Sequence, residues 1–239
     1  NVKLAIMQPY FFPYIGYFSL IKNTDHFVFF DTPQYIRKGW INRNRIIAGG
    51  GKDVYITVPV EKAPRDTAIK DIKINNNEKW QEKIRGQLSI YKKRAPYYQD
   101  VMAVVEDVIN LESDLVSELA IKSVVCSCKY LQIPMKYDVY SQMEHSIADV
   151  KEPDEWALYI TQQMQYDTYV NPPGGKSFFH REKYEKMGIE LQFLIQELQK
   201  YNQRTNKFIE GLSILDVMMF CSPNEIESMM EKYVIDRGK

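Results

Sequence analysis

An aromatic segment near the start of the chain, Gln8–Phe18, carries the highest density of side chains that can contact a ligand. Six of the nine residues from Tyr10 to Phe18 are aromatic, and two prolines and a glycine interrupt the segment. Tyrosine hydroxyls and a glutamine amide donate and accept hydrogen bonds, which suits a polar ligand. The alternative is an aromatic cluster that packs a helix, because single aromatic residues are mostly buried. The residues that we assign to the ligand are Gln8, Tyr10, Tyr14 and Gly16 for binding and Tyr17 for catalysis.

A second segment, Asp31–Arg45, combines cations with amides. Five cations and no acid lie between Asp31 and Asp53. Arginine is suited to bidentate contacts with phosphate or carboxylate groups, and asparagine to hydroxyl or amide groups. The alternative is a solvated basic loop, although a loop of that kind needs neither a tryptophan nor asparagines among its arginines. The residues assigned to substrate binding are Asp31, Gln34, Arg37, Trp40, Asn42, Arg43, Asn44 and Arg45.

A third segment, Asn171–Arg181, has a glycine pair followed by a lysine. Gly175-Lys176-Ser177 resembles the end of a P-loop, but Val170 stands where that motif requires its first glycine. A glycine pair still allows backbone amides to approach an anion, and the lysine adds a mobile charge. The alternatives are a tight turn between a strand and a helix, and a structural role for the histidine. The residues assigned here are Lys176 and His180 for catalysis, and Asn171, Gly174, Gly175 and Ser177 for binding.

Metal and redox chemistry have no support in the sequence. Cys126 and Cys128 are two apart in a helical pattern, so they point to different faces, and no Cys or His spacing resembles a zinc site. With Cys221 they are too few for a framework of disulfides, which indicates a reducing compartment. There is no Rossmann glycine fingerprint for a dinucleotide. We therefore predict no metal site, and His145, after a predicted strand, is a weak candidate for ligand contact.

The elements that must position these segments follow an α/β pattern. A strand, a helix over Tyr14–Ile21 and a second strand fall within about thirty residues, as in a βαβ crossover of a parallel sheet. The three segments follow predicted strands, so we expect them to converge in one crevice at the carboxyl edge of the sheet. The predicted strands of that sheet are Val2–Met7, His26–Phe30, Val54–Val58, Met135–Tyr140, Thr168–Asn171 and Glu190–Leu194.

Helical periodicity fills much of the remaining chain. Trp80, Ile84 and Leu88 fall on one stripe, and further stripes continue to Leu131. A cap and a proline at Ser222-Pro223 predict another helix near the end. The predicted fold class is α/β, a mainly parallel Rossmann-like sheet with a helical insertion and a helical C-terminal tail. Its divisions are 1–77 and 132–195 for the core, 78–131 for the insertion and 196–239 for the tail.

Composition excludes several classes of protein. The chain has 239 residues, 45% of them hydrophobic and 26% charged, values that exclude wholesale disorder. Its 31 basic and 31 acidic side chains give a net charge of zero, which argues against a wide basic face for duplex DNA. No apolar run approaches the ~20 residues of a membrane span. The first residues show no basic and apolar leader, so we expect a cytoplasmic protein.

Together, these segments resemble the WbqC-like protein family over nearly the whole chain. Members of the family are encoded in bacterial O-antigen (lipopolysaccharide) and other surface-polysaccharide clusters. The resemblance implies an amide-forming transferase that joins glycine or another amino acid to the amine of an amino sugar. The residues that carry it are Gln8-Pro9-Tyr10-Phe11-Phe12-Pro13-Tyr14-Ile15-Gly16-Tyr17, Asp25–Asp31, Gln34-Tyr35-Ile36, Trp40-Ile41-Asn42-Arg43-Asn44-Arg45-Ile46 and Asn171-Pro172-Pro173-Gly174-Gly175.

The partners implied by this resemblance are a nucleotide-linked amino sugar and glycine, which is either free or already activated on tRNA or a carrier protein. The diphosphate of the acceptor requires cations, for which Arg37, Arg43 and Arg45 are the first candidates. The alternative is a non-catalytic protein that binds the sugar nucleotide or acts as a scaffold. A scaffold needs an exposed apolar patch, whereas the sequence offers three polar and aromatic segments at one sheet edge.

A more distant resemblance is to the HIGH superfamily of nucleotidyltransferases and class I synthetases. Tyr14-Ile15-Gly16-Tyr17 takes the place of the His-x-Gly-His motif, and Gly175-Lys176-Ser177 that of the lysine-bearing phosphate loop. This resemblance implies ATP with Mg²⁺ as cofactors and an aminoacyl adenylate as the activated donor, or a nucleotidyltransferase. Tyrosine replaces both histidines and brings no positive charge near neutral pH. Either the arginines of the second segment supply that charge, or the site binds another ligand.

Overall fold

The structure is a computed structural model that describes residues 1–144, 147 and 149–238, so His145 lies outside the described residues. Its strands are, in chain order, β1 (Lys3–Met7), β2 (His26–Phe29), β3 (Arg43–Ile47), β4 (Asp53–Thr57), β5 (Tyr137–Val139), β6 (Thr168–Asn171), β7 (Glu190–Gln196) and β8 (Tyr233–Asp236). Its helices are α1 (Ile15–Lys22), α2 (Trp80–Leu88), α3 (Tyr98–Ile109), α4 (Val116–Tyr130), α5 (Glu155–Gln163), α6 (Arg181–Lys186), α7 (Ile214–Phe220) and α8 (Pro223–Met230).

A six-stranded sheet in the order β5-β2-β1-β6-β7-β8 forms the centre of the fold. Neighbouring strands are parallel except β7 and β8, which are antiparallel. In the central strand β1, Ala5 pairs with Phe27 of β2 on one side and with Val170 of β6 on the other. The predicted α/β class with a mainly parallel sheet is confirmed.

Two details of the sequence prediction are wrong. The pattern places Val54–Val58 in the main sheet, whereas β4 pairs with β3 in a separate antiparallel hairpin. The arginine-rich stretch is therefore the strand β3 rather than a loop. Arg43 and Arg45 are half-buried and alternate with the buried residues Asn44 and Ile46. The tail is also not purely helical, because β8 follows α7 and α8 and forms an edge of the sheet.

Helices cover both faces of the sheet. Successive side chains of β1 sort to opposite faces, so that Ala5 joins the core on the α1 side, and Leu4 and Ile6 join the core beneath α5 and α6. The helices α2, α3 and α4 fall within 78–131 and bury their apolar stripes on the α1 side. Within the described residues, no helix combines the length and the hydrophobicity of a membrane span.

The turn between β1 and α1 is fixed from two directions. The backbone N–H of Phe12 donates to the Ser123 hydroxyl in α4 at 2.9 Å, and the Ser213 hydroxyl donates to the Phe12 carbonyl at 2.7 Å. Phe12 is buried and has a φ of 39°, a strained backbone conformation that persists where the surroundings hold it. The insertion and the tail therefore both hold the aromatic segment in place.

Candidate functional site

A crevice opens at the carboxyl ends of β1, β2 and β6. The chain passes from β1 through α1 on one face of the sheet to β2, whereas α5 on the other face leads into β6, the second neighbour of β1. Ligands of open parallel sheets bind at such a change of crossover direction. The cavity has a volume of about 460 Å³, which suits a small ligand or one ring of a larger one.

Aromatic and neutral polar side chains line this crevice. None of its lining residues in the described structure is charged. An anion buried in such a lining would lack a compensating cation, which is costly. The crevice therefore suits an uncharged part of a ligand. Its rings come from Tyr10, Phe30, Trp156, Tyr169, Phe178 and Phe179, and its side-chain amides from Gln8 and Asn171.

Several polar groups of the crevice are available to a ligand. In the part of the chain that the structure describes, the Gln8 amide, the hydroxyls of Tyr10 and Thr32 and the Trp156 indole N–H form no hydrogen bond with the protein. Burial, with a smaller effect of Tyr14, raises the pKa of the Tyr10 hydroxyl. It therefore stays protonated at neutral pH and can donate a hydrogen bond.

Asn171 is held at the crevice by its neighbours. The Tyr169 hydroxyl donates to Asn171 Oδ1 at 2.7 Å, and Asn171 Nδ2 donates to the Pro172 carbonyl at 3.0 Å. A Cβ atom on residue 175 would lie 2.5 Å from Asn171 Nδ2 and 3.0 Å from the ring of Phe179. Gly175 is thus required by the packing of this amide, whereas the sequence analysis explains it by the approach of an anion.

A histidine and a buried carboxylate meet at the margin of the crevice. His180 Nδ1 lies 3.0 Å from Asp154 Oδ2, which also accepts from the His180 backbone N–H at 3.0 Å. In the chain, His180 follows the lining residue Phe179, and Asp154 follows the lining residue Pro153. The His180 side chain is 55% exposed and that of Asp154 is 2% exposed. The carboxylate therefore fixes one ring nitrogen and leaves Nε2 to a ligand.

Lys183 completes this group. Its Nζ lies 3.0 Å from Asp154 and 3.1 Å from Glu155, and it also pairs with Glu152. Burial alone raises the pKa of Asp154, but hydrogen bonds from the His180 backbone, Lys183 and the His180 ring outweigh it, so the pKa lies below its ordinary value. Asp154 stays a carboxylate at neutral pH and can stabilise a positive charge on the imidazole.

The same group also brings three potential metal ligands together. The ligand atoms of Glu152, Asp154 and His180 lie within 4.8 Å of one another, which is close enough for a shared ion. The ammonium of Lys183, however, contacts both carboxylates and already supplies the compensating charge. A divalent cation would be repelled by that ammonium. The arrangement fits an ion-pair network around His180 better than a metal centre.

The protein's own side chains fill the start of α1. Tyr17 is 1% exposed and donates to the Gln8 carbonyl at 2.7 Å, and burial raises its pKa well above the ordinary value. The sequence analysis assigns it to catalysis, whereas in the structure its buried hydroxyl is engaged with the Gln8 backbone. A Cβ atom on Gly16 would lie 2.4 Å from Cζ of Tyr14. The Tyr14 ring thus occupies the glycine surface on which the HIGH resemblance places a nucleotide base.

Arg43 and Arg45, which the sequence analysis assigns to the ligand, do not line the crevice. Arg43 stacks on the Tyr55 ring at 3.9 Å. Arg45 pairs with Asp53 at 2.9 Å and donates to the Gly211 carbonyl at 3.2 Å. The reason is that both belong to a strand of the hairpin, where neighbouring elements use their guanidinium groups. The expected convergence of three segments therefore holds for the first and third, but not for these arginines.

Two further polar residues of the second segment serve the fold. Asp31 is 3% exposed and accepts hydrogen bonds from the backbone and hydroxyl of Ser141. Asn42 is buried and donates to the Val58 carbonyl at 2.9 Å. Neither lines the crevice. The sequence analysis assigns both to the substrate, whereas in the structure both connect neighbouring segments of the chain.

The other residues of that segment are spread over three places. Asn44 is 3% exposed, and its Oδ1 accepts from the following backbone N–H at 2.8 Å. Trp40 is 37% exposed and packs on Tyr55 with ring centroids 6.1 Å apart, away from the crevice. Gln34 and Arg37 line a second cavity. The segment thus does not form one binding loop.

Only some residues of the third segment line the crevice. Lys176 forms an ion pair with Asp236 at the end of β8. Gly174 and Ser177 are exposed in the same loop and do not line the crevice. Among the residues assigned to catalysis, His180 directly follows the lining residue Phe179 in the chain and has an exposed side chain.

Sequence reasoning missed Asp154, Trp156 and Lys183. The first two lie in Lys151-Glu152-Pro153-Asp154-Glu155-Trp156, which has the composition of an ordinary solvated helix start. One signal was available: this helix leads into β6, so its start lies at the carboxyl edge of the sheet. The approach of Asp154 to His180, 26 residues later, has no local signature.

Comparison with known proteins identifies the family of this chain. The uncharacterized protein Rv1507c of Mycobacterium tuberculosis (strain ATCC 25618 / H37Rv) is 26% identical over 219 residues, which cover 90% of this chain and 92% of that protein. No solved structure matches the chain at a significant level. The model of the WbqC-like protein family matches residues 8–228, from the crevice residue Gln8 into α8. The chain belongs to the WbqC-like protein family.

Proposed function

We propose that the protein transfers glycine or another amino acid onto the amine of a nucleotide-linked amino sugar, whose sugar ring binds in the crevice. The observation that carries the proposal is a neutral, aromatic crevice with the His180–Asp154 pair at its margin. Membership of the WbqC-like family supports a place for this reaction in the synthesis of bacterial O-antigen or another surface polysaccharide.

A sugar ring matches the chemistry of the crevice. The C–H faces of a sugar are apolar and pack on aromatic rings, and Phe30, Trp156 and Phe179 supply such rings. Its hydroxyl groups are neutral donors and acceptors, for which Gln8 and Tyr10 are available. The uncharged lining selects against a phosphate at the same place. The diphosphate of the acceptor must therefore lie outside the crevice.

His180 is the general base of the proposal. An amine must be neutral to attack a carbonyl, so its proton has to pass to a base within hydrogen-bond reach. With Nδ1–H donated to Asp154, Nε2 of His180 is the accepting atom. The amine nitrogen attacks the carbonyl carbon of an aminoacyl ester or thioester, the C–N bond forms and the C–O or C–S bond to the carrier breaks. The proton of the amine passes through His180 to the leaving oxygen or sulfur.

ATP and Mg²⁺ do not fit the positions that the HIGH resemblance implies. The Tyr14 ring covers Gly16, the lining of the crevice is uncharged, and Lys183 lies between the acidic groups that a metal would use. We therefore propose that the aminoacyl group arrives already activated, on tRNA or on a carrier protein. No step of the reaction proposed here passes through an adenylate.

Mass spectrometry of parallel reaction mixtures tests the proposal. The protein is mixed with a panel of nucleotide-linked amino sugars and with glycyl-tRNA, with a glycyl-loaded carrier protein, or with glycine, ATP and Mg²⁺. A gain of one glycyl unit on the sugar in either of the first two mixtures is the expected result. Product that requires ATP and releases AMP would refute the activated donor. No product in any mixture, with tight binding of the sugar nucleotide, would identify a binding protein.

Two variants connect the product to the site. His180→Ala should lower turnover about a hundredfold or more, as expected for the loss of a general base. Lys93→Ala changes an exposed residue outside the crevice and should keep the rate of the unchanged protein. Equal rates in both variants would remove His180 from the mechanism.

A further inference from the structure

A second cavity, which we call the cationic cavity, lies between the segments Gln34–Arg37 and Val60–Arg65. Its volume is about 680 Å³. We propose that it binds the diphosphate of a nucleotide-linked sugar, an inference that rests on the proposed function and adds the place of the phosphates. Its charged residues are Arg37, Lys62 and Arg65, with the single acid Glu61.

The positive charges of this cavity outnumber its negative charges. Three positive charges and one negative charge give it a net charge of +2. Among the described residues, Arg37, Lys62 and Arg65 form no ion pair, whereas Arg45 and Arg85 each pair with an acid. A concave surface with a net positive charge concentrates anionic ligands, and a guanidinium group can donate two hydrogen bonds to one phosphate group. The cavity thus has the charge that the crevice lacks.

One wall of the cationic cavity is held by backbone hydrogen bonds. The N–H of Tyr35 donates to the Thr67 carbonyl, and the N–H of Ile69 donates to the Pro33 carbonyl, both at 2.9 Å. Tyr35 itself is 8% exposed, so its side chain anchors this segment in the core. Because this wall is already ordered, little conformational entropy of its backbone is lost when a ligand binds.

The cavity and the crevice are lined by consecutive residues of one segment. Thr32 and Pro33 line the crevice, and the next residue, Gln34, lines the cationic cavity. Consecutive Cα atoms are about 3.8 Å apart, so the linings of the two spaces come within one residue of each other at Pro33 and Gln34. In a nucleotide-linked sugar the diphosphate is attached directly to the ring. In this proposal, a ring in the crevice leaves its diphosphate near the residues at which the two linings adjoin.

Calorimetry with uridine diphosphate and inorganic pyrophosphate as probes tests the inference. Arg37→Ala and Arg65→Ala should each weaken binding of both probes about tenfold or more, since a hydrogen bond to a charged group is lost. The control is Arg94→Ala, an exposed arginine without an ion pair among the described residues and outside both cavities, which should stay within about twofold of the unchanged protein. Circular dichroism verifies that each variant is folded.

The outcomes separate this inference from the proposed function. Equal affinity in Arg37→Ala, Arg65→Ala and Arg94→Ala would overturn the phosphate site, while glycyl transfer by the same proteins would still support the proposed function. Loss of probe binding without any transfer would keep the phosphate site and refute the transferase. If a short single-stranded RNA binds, and uridine diphosphate neither binds nor displaces it, the cations would be assigned to a polynucleotide and the inference would be overturned.

Discussion

The ring of Tyr14 covers the backbone of Gly16 at the first turn of α1, and a Cβ atom on residue 16 would come within 2.4 Å of Cζ of that ring. In the HIGH resemblance, the glycine at this place leaves room for a nucleotide base. Here the glycine leaves room for the side chain of Tyr14, which precedes the same helix. In this chain, the space above Gly16 is therefore already filled by a side chain of the protein itself.

Gly16→Ala should destabilise the protein because the new methyl group collides with the Tyr14 ring. We expect a loss of about 1 kcal/mol in the free energy of unfolding, the lower end of the range for overpacking, because the half-buried Tyr14 ring can partly move aside. The double variant Tyr14→Ala with Gly16→Ala should recover part of that loss. Urea unfolding of the two single variants and the double variant measures the coupling, and strictly additive losses would show that the ring does not cause the effect.

Asp154→Asn should lower kcat with little change in KM. Asparagine keeps an acceptor near the His180 ring but cannot stabilise a positive charge on it, so the loss should be about tenfold or more. Steady-state kinetics of glycyl transfer, with circular dichroism as a control of folding, measures it. An unchanged kcat in a folded variant would limit Asp154 to a structural role.

The same carboxylate predicts how stability depends on pH. The pKa of Asp154 in the folded protein lies below its ordinary value because hydrogen bonds from His180 and Lys183 outweigh the effect of burial. Its contribution to stability is therefore complete above about pH 4 and is lost as the pH falls through the folded-state pKa. In urea unfolding, the difference between the unchanged protein and Asp154→Asn should shrink towards acidic pH. A difference that is constant down to about pH 3 would contradict this assignment.

Gly175→Ala should weaken sugar binding, and Gly174→Ala should not. A Cβ atom on residue 175 would lie 2.5 Å from Asn171 Nδ2, whereas residue 174 has no neighbour within 4 Å. The first variant displaces the Asn171 amide from the crevice, and the second adds the same methyl group to the same loop. Calorimetry with a nucleotide-linked amino sugar should show an affinity about tenfold lower for Gly175→Ala alone. Equal affinities would mean that Asn171 does not contact the sugar.

The strands of the parallel sheet could be predicted from short apolar runs such as Val2–Met7, because strands buried on both faces need apolar side chains throughout. The pairing of the strand predicted at Val54–Val58 with β3, outside the main sheet, could not be predicted. An apolar run shows that a strand is buried, but not which strand lies beside it. In β3 the buried position of Asn44 disrupts the alternation of apolar and polar residues, so the strand resembles a polar loop.

The crevice was predictable in part for a similar reason. Gln8, Tyr10, Asn171 and Gly175 lie at the ends of strands or within four residues after them, and topology alone brings the ends of parallel strands together. Arg43 and Arg45 have the right chemistry for a phosphate, yet the hairpin turns them to Tyr55, Asp53 and Gly211. Chemical type can be read from a sequence, whereas the partner that a side chain finds depends on the tertiary fold.

Saturation-transfer NMR with a nucleotide-linked amino sugar tests most directly whether the crevice binds the sugar. We expect the strongest saturation on the protons of the sugar ring, because Phe30, Trp156 and Phe179 surround it. Trp156→Ala should remove that signal, and Tyr137→Ala, which changes an exposed aromatic residue outside the crevice, should preserve it. Strongest saturation on the nucleotide base, unchanged in Trp156→Ala, would contradict the assignment of the crevice to the sugar.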